Sequence, residues 1–377
     1  MIAQILHYVF ILVMLYFFVL AASNIIWLRL SSRRPKRRSG AKVSVLIPAR
    51  DEEANIGLCL DSLLRQTYDN YEIVVLDDHS SDRTWEILSG YQRRHPEKIR
   101  AVRGEPLPES SWYGKPHALQ QLSKYATGQF FMFTDADTIH GPESISWAVT
   151  NLIWHRVDFI SGYVRQKLLT FGEALLVPAT YLMTTVIMPL WLIAVTRTPA
   201  FSFAVGQVVM FRRKAFEAIG GFSSVSSRIS EDIYVCRLLK KAGFRVIFLD
   251  LRKHVSCRMY EGYHRSFNGI AKNIYDFFNR RTGLLAASAV LVACFMILPW
   301  ILLVVHLLDG NPLAREAAVA VLLCQLTWCF VLYDRGLKWY VPLLQPLMFP
   351  FLLAMMWRSY GALTFGEGML WKGRVVR

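Results

Sequence analysis

The stretch FFMFTDADTIH, residues 130–140, runs apolar for four positions and then places Asp135 and Asp137 two apart, with no lysine or arginine among them. Two carboxylates at that spacing can hold Mg2+ or Mn2+ and leave coordination positions for phosphate oxygens of a substrate. Such a cation offsets the charge of a departing diphosphate. The pair alone also suits a phosphatase or a nucleotidyltransferase, and acidic residues at a strand end commonly serve only a turn. Two further acidic clusters follow apolar runs in the same way, ARDEE after KVSVLIP and DDHSSD after YEIVVL. A fourth, Glu231–Asp232, opens EDIYVCRLLKKAGFRV at the first turn of a helix ended by Gly243, where the helix dipole also favours carboxylates as caps.

The elements carrying these clusters alternate. KVSVLIP, YEIVVLDD, KIRAVRG, QFFMFTD and VDFISGYV have the apolar content of buried strands, and EEANIGLCLDSLLRQ, SDRTWEILSGYQRR, KPHALQQLSKYA and PESISWAVTNLIWH have helical periodicity. Alternation of this kind predicts an α/β domain with a mostly parallel, Rossmann-like sheet, and ligands bind beyond the carboxyl ends of such strands. All three strand-end clusters then gather at one edge, where their mutual repulsion calls for a cation or a donor.

Composition sets the surroundings. The chain of 377 residues is 54% apolar, and the excess is concentrated in residues 5–28, 284–308, about 317–333 and 339–357, each near the ~20 residues that span a bilayer. The first is expected to be an uncleaved anchor, since it lacks a basic leader and the cluster RLSSRRPKRR follows it. Positive-inside bias puts that cluster and the following domain in the cytoplasm. The net charge of +15 belongs with this membrane-proximal placement, at about 1 kcal/mol per basic residue near anionic headgroups, and nucleic acid is not an expected partner. The six cysteines form no C-x-x-C pair, which argues against disulfides and zinc.

The expected organisation is an anchor (1–30), a basic linker (31–41), a cytoplasmic domain (42–280), a C-terminal membrane region of two to three spans (284–360) and a basic tail (361–377). Within the domain, the apolar run 168–203 is broken by Pro178, Pro189 and Pro199 and is expected to lie as interfacial or re-entrant helices, with a pair of spans as the alternative. Hydropathy puts the tail outside and positive-inside bias puts it in the cytoplasm.

Taken together and in order, VSVLIPARDEEANI, VLDDHSSDRT, WYGKPHAL, FTDADT, AIGGF and the EDIYVCRLLKKAGFRV block resemble the family 2 glycosyltransferases of the GT-A fold, over about residues 42–250. The resemblance implies that Pro48, Ala49 and Glu52 border the nucleotide of a nucleotide-sugar donor, that Asp78 bonds a uracil ring with Asp77 behind it, and that Lys115 approaches the ribose or diphosphate. It implies Asp135 at the ribose or metal, Asp137 at a divalent cation (Mg2+ or Mn2+), and Asp232 as the catalytic base with Glu231 beside it. An inverting transfer needs no covalent intermediate and so no second nucleophilic carboxylate.

The Q-x-x-R-W segment of many membrane-bound members is missing. CRMYEGYHRSFNGIAKNIYDFF stands in its place and is similar to bacterial carotenoid- and hopanoid-associated glycosyltransferases. Arg258, His264 and Arg265 are candidates for the diphosphate clamp, His254 is a weaker candidate for a third metal ligand, and the WKGR segment (371–374) recurs in similar enzymes. The expected activity is inverting transfer from a UDP-sugar, such as UDP-glucose, to a membrane lipid, in the inner or plasma membrane of a bacterium. A polysaccharide glycosyltransferase and a non-catalytic nucleotide-sugar-binding scaffold are the alternatives. A transporter is disfavoured, with too few spans and no G-x-x-x-x-G-K-[ST] loop.

Overall fold

A computed structural model describes residues 2–33, 38–108, 112–366 and 368–376; residues 34–37 of the basic cluster lie outside them. The domain is built on strands β1 (Val43–Ala49), β2 (Tyr71–Asp77), β3 (Ile99–Arg103), β4 (Phe130–Thr134), β5 (Thr138–His140), β6 (Phe159–Tyr163), β7 (Arg165–Gln166), β8 (Val208–Arg212), β9 (Val246–Asp250) and β10 (Val255–Cys257). Seven of them form one sheet in the order β3-β2-β1-β4-β8-β6-β9, and β5-β10-β7 form a small second sheet. The central strands read as continuous apolar runs because helices cover both faces, and two buried hydrophobic clusters lie one on each side.

The sheet is parallel except for β8, which pairs antiparallel with both β4 and β6. The insert ends at the carboxyl edge, so the strand that follows it starts there, and Gly206–Gln207 join the strand-end loops. The backbone N–H of Asp135 donates to the Gln207 carbonyl at 3.2 Å, and the register Ala49↔Asp77 holds the first two acidic loops level.

The helices are α1 (Ile2–Ser31), α2 (Ile56–Leu64), α3 (Thr84–Arg94), α4 (Gly114–Tyr125), α5 (Ser144–Trp154), α6 (Phe171–Leu176), α7 (Trp191–Val195), α8 (Arg213–Ala218), α9 (Glu231–Lys241), α10 (Gly262–Phe277), α11 (Thr282–Leu308, with a π turn), α12 (Ala314–Asp334) and α13 (Gln345–Thr364). Gly243, at φ +83°, ends α9 as the sequence predicts: its N–H bonds the Lys240 carbonyl and the Phe244 N–H bonds that of Leu239. The insert forms an apolar helical stretch, Phe171–Ile187, and the short α7, neither of which is among the four segments long enough to cross a membrane. The buried Asn24 of α1 pins it by donating to the Thr185 and Met188 carbonyls (both 2.8 Å) and accepting from the Leu190 N–H (2.7 Å).

Four helical segments are long and apolar enough to cross a membrane: Ile2–Ser31, Thr282–Leu308, Ala314–Asp334 and Val341–Thr364. The first three lie side by side with their ends in common. Arg29 and Asp334 pair at 2.7 Å at one end, and the His7 and His306 rings meet at 5.1 Å at the other. The fourth is offset. Gln345 reaches Cys324 at 3.6 Å and Phe349 packs on Trp328 at 5.5 Å, so α13 begins beside the middle of α12 and runs in the same direction. From Cys324 to Asp334 the rise is about 15 Å, and α13 is about 30 Å long, so α13 outreaches α12 by about half its length. Its Ser359 there accepts the Tyr275 N–H of α10 at 2.9 Å. The chain then closes with the hairpin β11 (Met369–Trp371) and β12 (Arg374–Val376).

Candidate active site

The loops after β1 and β2 are tied to each other. Asp51, at φ +51°, accepts from the Ser81 N–H at 2.7 Å, and Glu53 accepts from the Arg83 N–H at 3.0 Å. Both are therefore occupied in shaping the loops. The residue between them, Glu52, takes the Asn55 amide at 2.9 Å and the Lys372 ammonium at 2.7 Å. Asp77 is buried and receives the Ser80 N–H at 3.3 Å, behind the cavity wall. Asp78 faces Arg374, whose guanidinium meets both carboxylate oxygens, at 2.6 and 3.1 Å. Pro48, Ala49, Glu52 and Asp78 all line one cavity of about 970 Å³.

Lys115, near the start of α4, binds the middle of the site together. Its ammonium lies 2.8 Å from Asp135 and 3.3 Å from Glu231, linking the end of β4 to the start of α9. Burial alone would lower its pKa, but the Asp135 and Glu231 carboxylates more than offset this and hold it well above the ordinary lysine value. Among the described residues Asp137 makes no ion pair. Its Oδ1 is buried without a hydrogen-bond partner, and burial, then the charges of Asp135 and Glu52, push its carboxyl up to about 7. A buried oxygen with no donor beside two like charges suits a cation. Among the described residues no group of three or more His, Cys, Asp or Glu could hold a metal ion by itself; the two carboxylates suit a cation that would take its remaining ligands from water and substrate phosphate.

Asp232 sits at the first turn of α9. One oxygen accepts the Ile233 N–H at 2.8 Å. Burial and the neighbouring Glu231 push its carboxyl up to about 7, against the opposing pull of Lys115. Gly206 leaves room beside the pair: a Cβ there would stand 3.3 Å from both Asp232 Oδ2 and Lys115 Nζ and would crowd them. The N–H groups of Ile229 and Ser230, just before α9, are held by the buried Asp276 of α10, at 3.1 and 3.0 Å, which fixes the turn that presents Asp232.

Beyond Asp232 the same cavity turns apolar, lined by Phe203, Ile274 and Phe277, and then by Val292 of α11 and Leu352 and Met356 of α13. It thus runs from the strand-end carboxylates to helices that are long and apolar enough for a bilayer. Lys272 of α10 also lines it. Burial first, then nearby Lys115, push this lysine down to about 8.

The three clamp candidates all border this cavity but differ. Arg258 is committed to the buried Glu173 at 2.8 Å, and Glu173 is held at about 2: burial would raise it, and Arg258 with the Gly262 and Leu169 N–H groups outweighs that. Arg265 pairs with Glu261 at 3.0 Å on the exposed rim, and His264 is exposed beside it. His254 is elsewhere, packed on Trp147 at 5.5 Å and lining a separate cavity. Sequence reasoning assigned no role to Lys272, Glu173, Asp276, Lys372 or Arg374; the only signals were charges on an otherwise amphipathic helix and the WKGR segment.

Residues 44–220 match the family model described as glycosyl transferase family 2. The chain is 30% identical over 121 residues to the UDP-Glc:alpha-D-GlcNAc-diphosphoundecaprenol beta-1,3-glucosyltransferase of Escherichia coli, across 32% of this chain and 44% of that one. It is 26% identical over 253 residues to the 4,4'-diaponeurosporenoate glycosyltransferase of Staphylococcus haemolyticus, across 63% of each. The match therefore spans less than half the length of the first relative and under two thirds of the second. Among solved structures, a mannosyltransferase from Pyrobaculum calidifontis in complex with GDP-Man and Mn2+ shares the fold, with a TM-score of 0.56 at 19% identity over 94% of this chain and 98% of that one.

Proposed function

We propose, for a chain whose residues 44–220 form a glycosyl transferase family 2 domain of GT-A type, that it moves a sugar from a nucleoside-diphosphate donor to a lipid hydroxyl or carboxyl, with inversion at the anomeric carbon. The observation that carries this is the single cavity joining Asp232 to the apolar arm between α11 and α13. A water-soluble acceptor has no use for such an arm, which favours a lipid over a growing polysaccharide; the carboxyl poised at Asp232 favours an enzyme over a binding scaffold.

In this reading the donor's base lies at Asp78, as befits the ring N–H of uracil, with its diphosphate toward Lys115. Asp137 and Asp135 are the residues that would hold a divalent cation, Mg2+ or Mn2+, which when bound offsets charge on the leaving diphosphate. Asp232 accepts the acceptor's O–H proton while that oxygen bonds to the anomeric carbon and the bond from that carbon to the phosphate oxygen breaks, its electron pair leaving with the nucleoside diphosphate.

The same reading gives a topology. The catalytic domain lies in the cytoplasm of a bacterial cell; α1, α11 and α12 cross the membrane; and α13 is re-entrant, starting at mid-depth and ending on the catalytic side. Three crossings then leave the basic tail beside the domain, which reconciles hydropathy with positive-inside bias.

The test uses purified protein, radiolabelled UDP-sugars, a divalent cation and total membrane lipid. Label is expected to enter the lipid fraction. Val292→Trp, which narrows the apolar arm, is expected to raise the acceptor KM about tenfold, the equivalent of ~1.4 kcal/mol of lost contact, while donor hydrolysis continues. Equal loss of both would count against a lipid acceptor.

A further inference from the structure

The C-terminal hairpin docks on the loops that follow β1 and β2. Arg50 donates to the Lys372 carbonyl at 3.0 Å, Lys372 reaches the Asp51 carbonyl at 3.1 Å and Glu52 at 2.7 Å, and Arg374 forks onto Asp78. These contacts cross about 300 residues of sequence. Asp78 is 2% exposed, and among the described residues Arg374 is the cation paired with it. A carboxylate that deep needs a counter-charge to stay in place, and a bidentate guanidinium also fixes its plane. Lys372 lines the main cavity, and its partner Glu52 lies close enough for its charge to act on Asp137.

We infer that this hairpin is a donor-binding element, in which Arg374 orients the Asp78 carboxylate toward the donor's base and Lys372 is a cation for its diphosphate. The inference rests on the donor reading above. A bidentate Arg leaves each oxygen of Asp78 a further lone pair, so the carboxylate accepts a ring N–H without releasing the guanidinium. The hairpin is then a wall of the nucleotide site and not a plug in it.

The test titrates UDP and GDP into the full-length protein in detergent by calorimetry, with Arg374→Gln, Arg374→Lys, Lys372→Met, Asp78→Asn and the Asp78→Asn/Arg374→Gln pair. Arg374→Gln is expected to weaken UDP about tenfold or more, since truncating one partner of a buried charge pair has effects of that size. Arg374→Lys should recover part of the loss, and the double variant should bind no worse than the Asp78→Asn single variant, because Arg374 acts through Asp78. Lys372→Met should weaken UDP binding and raise the donor KM. UDP binding unchanged in both Arg374→Gln and Lys372→Met, or tighter in either, would overturn the inference. If Arg374→Gln does not fold, as judged by its thermal transition, Lys372→Met carries the same test. Wild-type protein that binds neither nucleotide would instead overturn the donor reading itself.

Discussion

Asp232→Asn is expected to lower sugar transfer by about 10²–10⁴-fold, the range of a positioned general base, while UDP binding stays near wild type. Release of nucleoside diphosphate and labelled-lipid formation should fall together; release that does not change in this variant would remove Asp232 from the chemistry. The pH profile gives an independent reading. A base with its carboxyl pushed up to about 7 works only when deprotonated, so wild-type kcat/KM, which reports the free enzyme, should rise as pH increases through about 7 and be lost below it. Stability runs the other way. Because folding raises this carboxyl from 3.8, its ionised form disfavours the native state, beginning as pH rises past 3.8 and fully above 7. Asp232→Asn should therefore melt higher than wild type at pH 8, with the difference vanishing near pH 4.

The second large effect is expected at Asp137. Asp137→Asn should cut transfer by about 10²–10³-fold, the equivalent of the several kcal/mol a bound cation contributes at a developing diphosphate. It should also raise the Mn2+ concentration needed for half-maximal donor turnover, whereas Asp232→Asn should leave that concentration alone. Prolonged chelation of the wild type should reproduce the Asp137 defect, and excess Mg2+ or Mn2+ should reverse it. Full turnover after chelation would show that Lys115, Lys272 and the hairpin cations suffice without a metal.

What the sequence disclosed follows from the range of the interactions involved. The strands from Val43, Tyr71 and Phe130 are legible because burial on both faces leaves runs that need no partner to be recognised. The acidic loops are legible because they follow those runs directly. The reversed direction of β8 is not, since VVMFR reads the same either way and its orientation depends on where the insert ends. Arg258 is an arginine in the right region, yet its commitment to Glu173 depends on the packing of α6 against α10, which no local period encodes. The offset start of α13 is likewise invisible to hydropathy, which measures the length of an apolar run and not the depth at which it begins.

That offset has a kinetic meaning. Leu352 and Met356 of α13 border the proposed acceptor arm, and eight and ten residues after α13 ends at Thr364, Lys372 and Arg374 touch the loops proposed to hold the donor. The same C-terminal stretch therefore reaches both proposed substrate sites. An acceptor that shifts α13 and the hairpin with it would alter donor affinity, and the donor would alter acceptor affinity by the same factor, because binding free energies are reciprocally linked. The reaction should accordingly proceed through a ternary complex, with double-reciprocal plots that intersect.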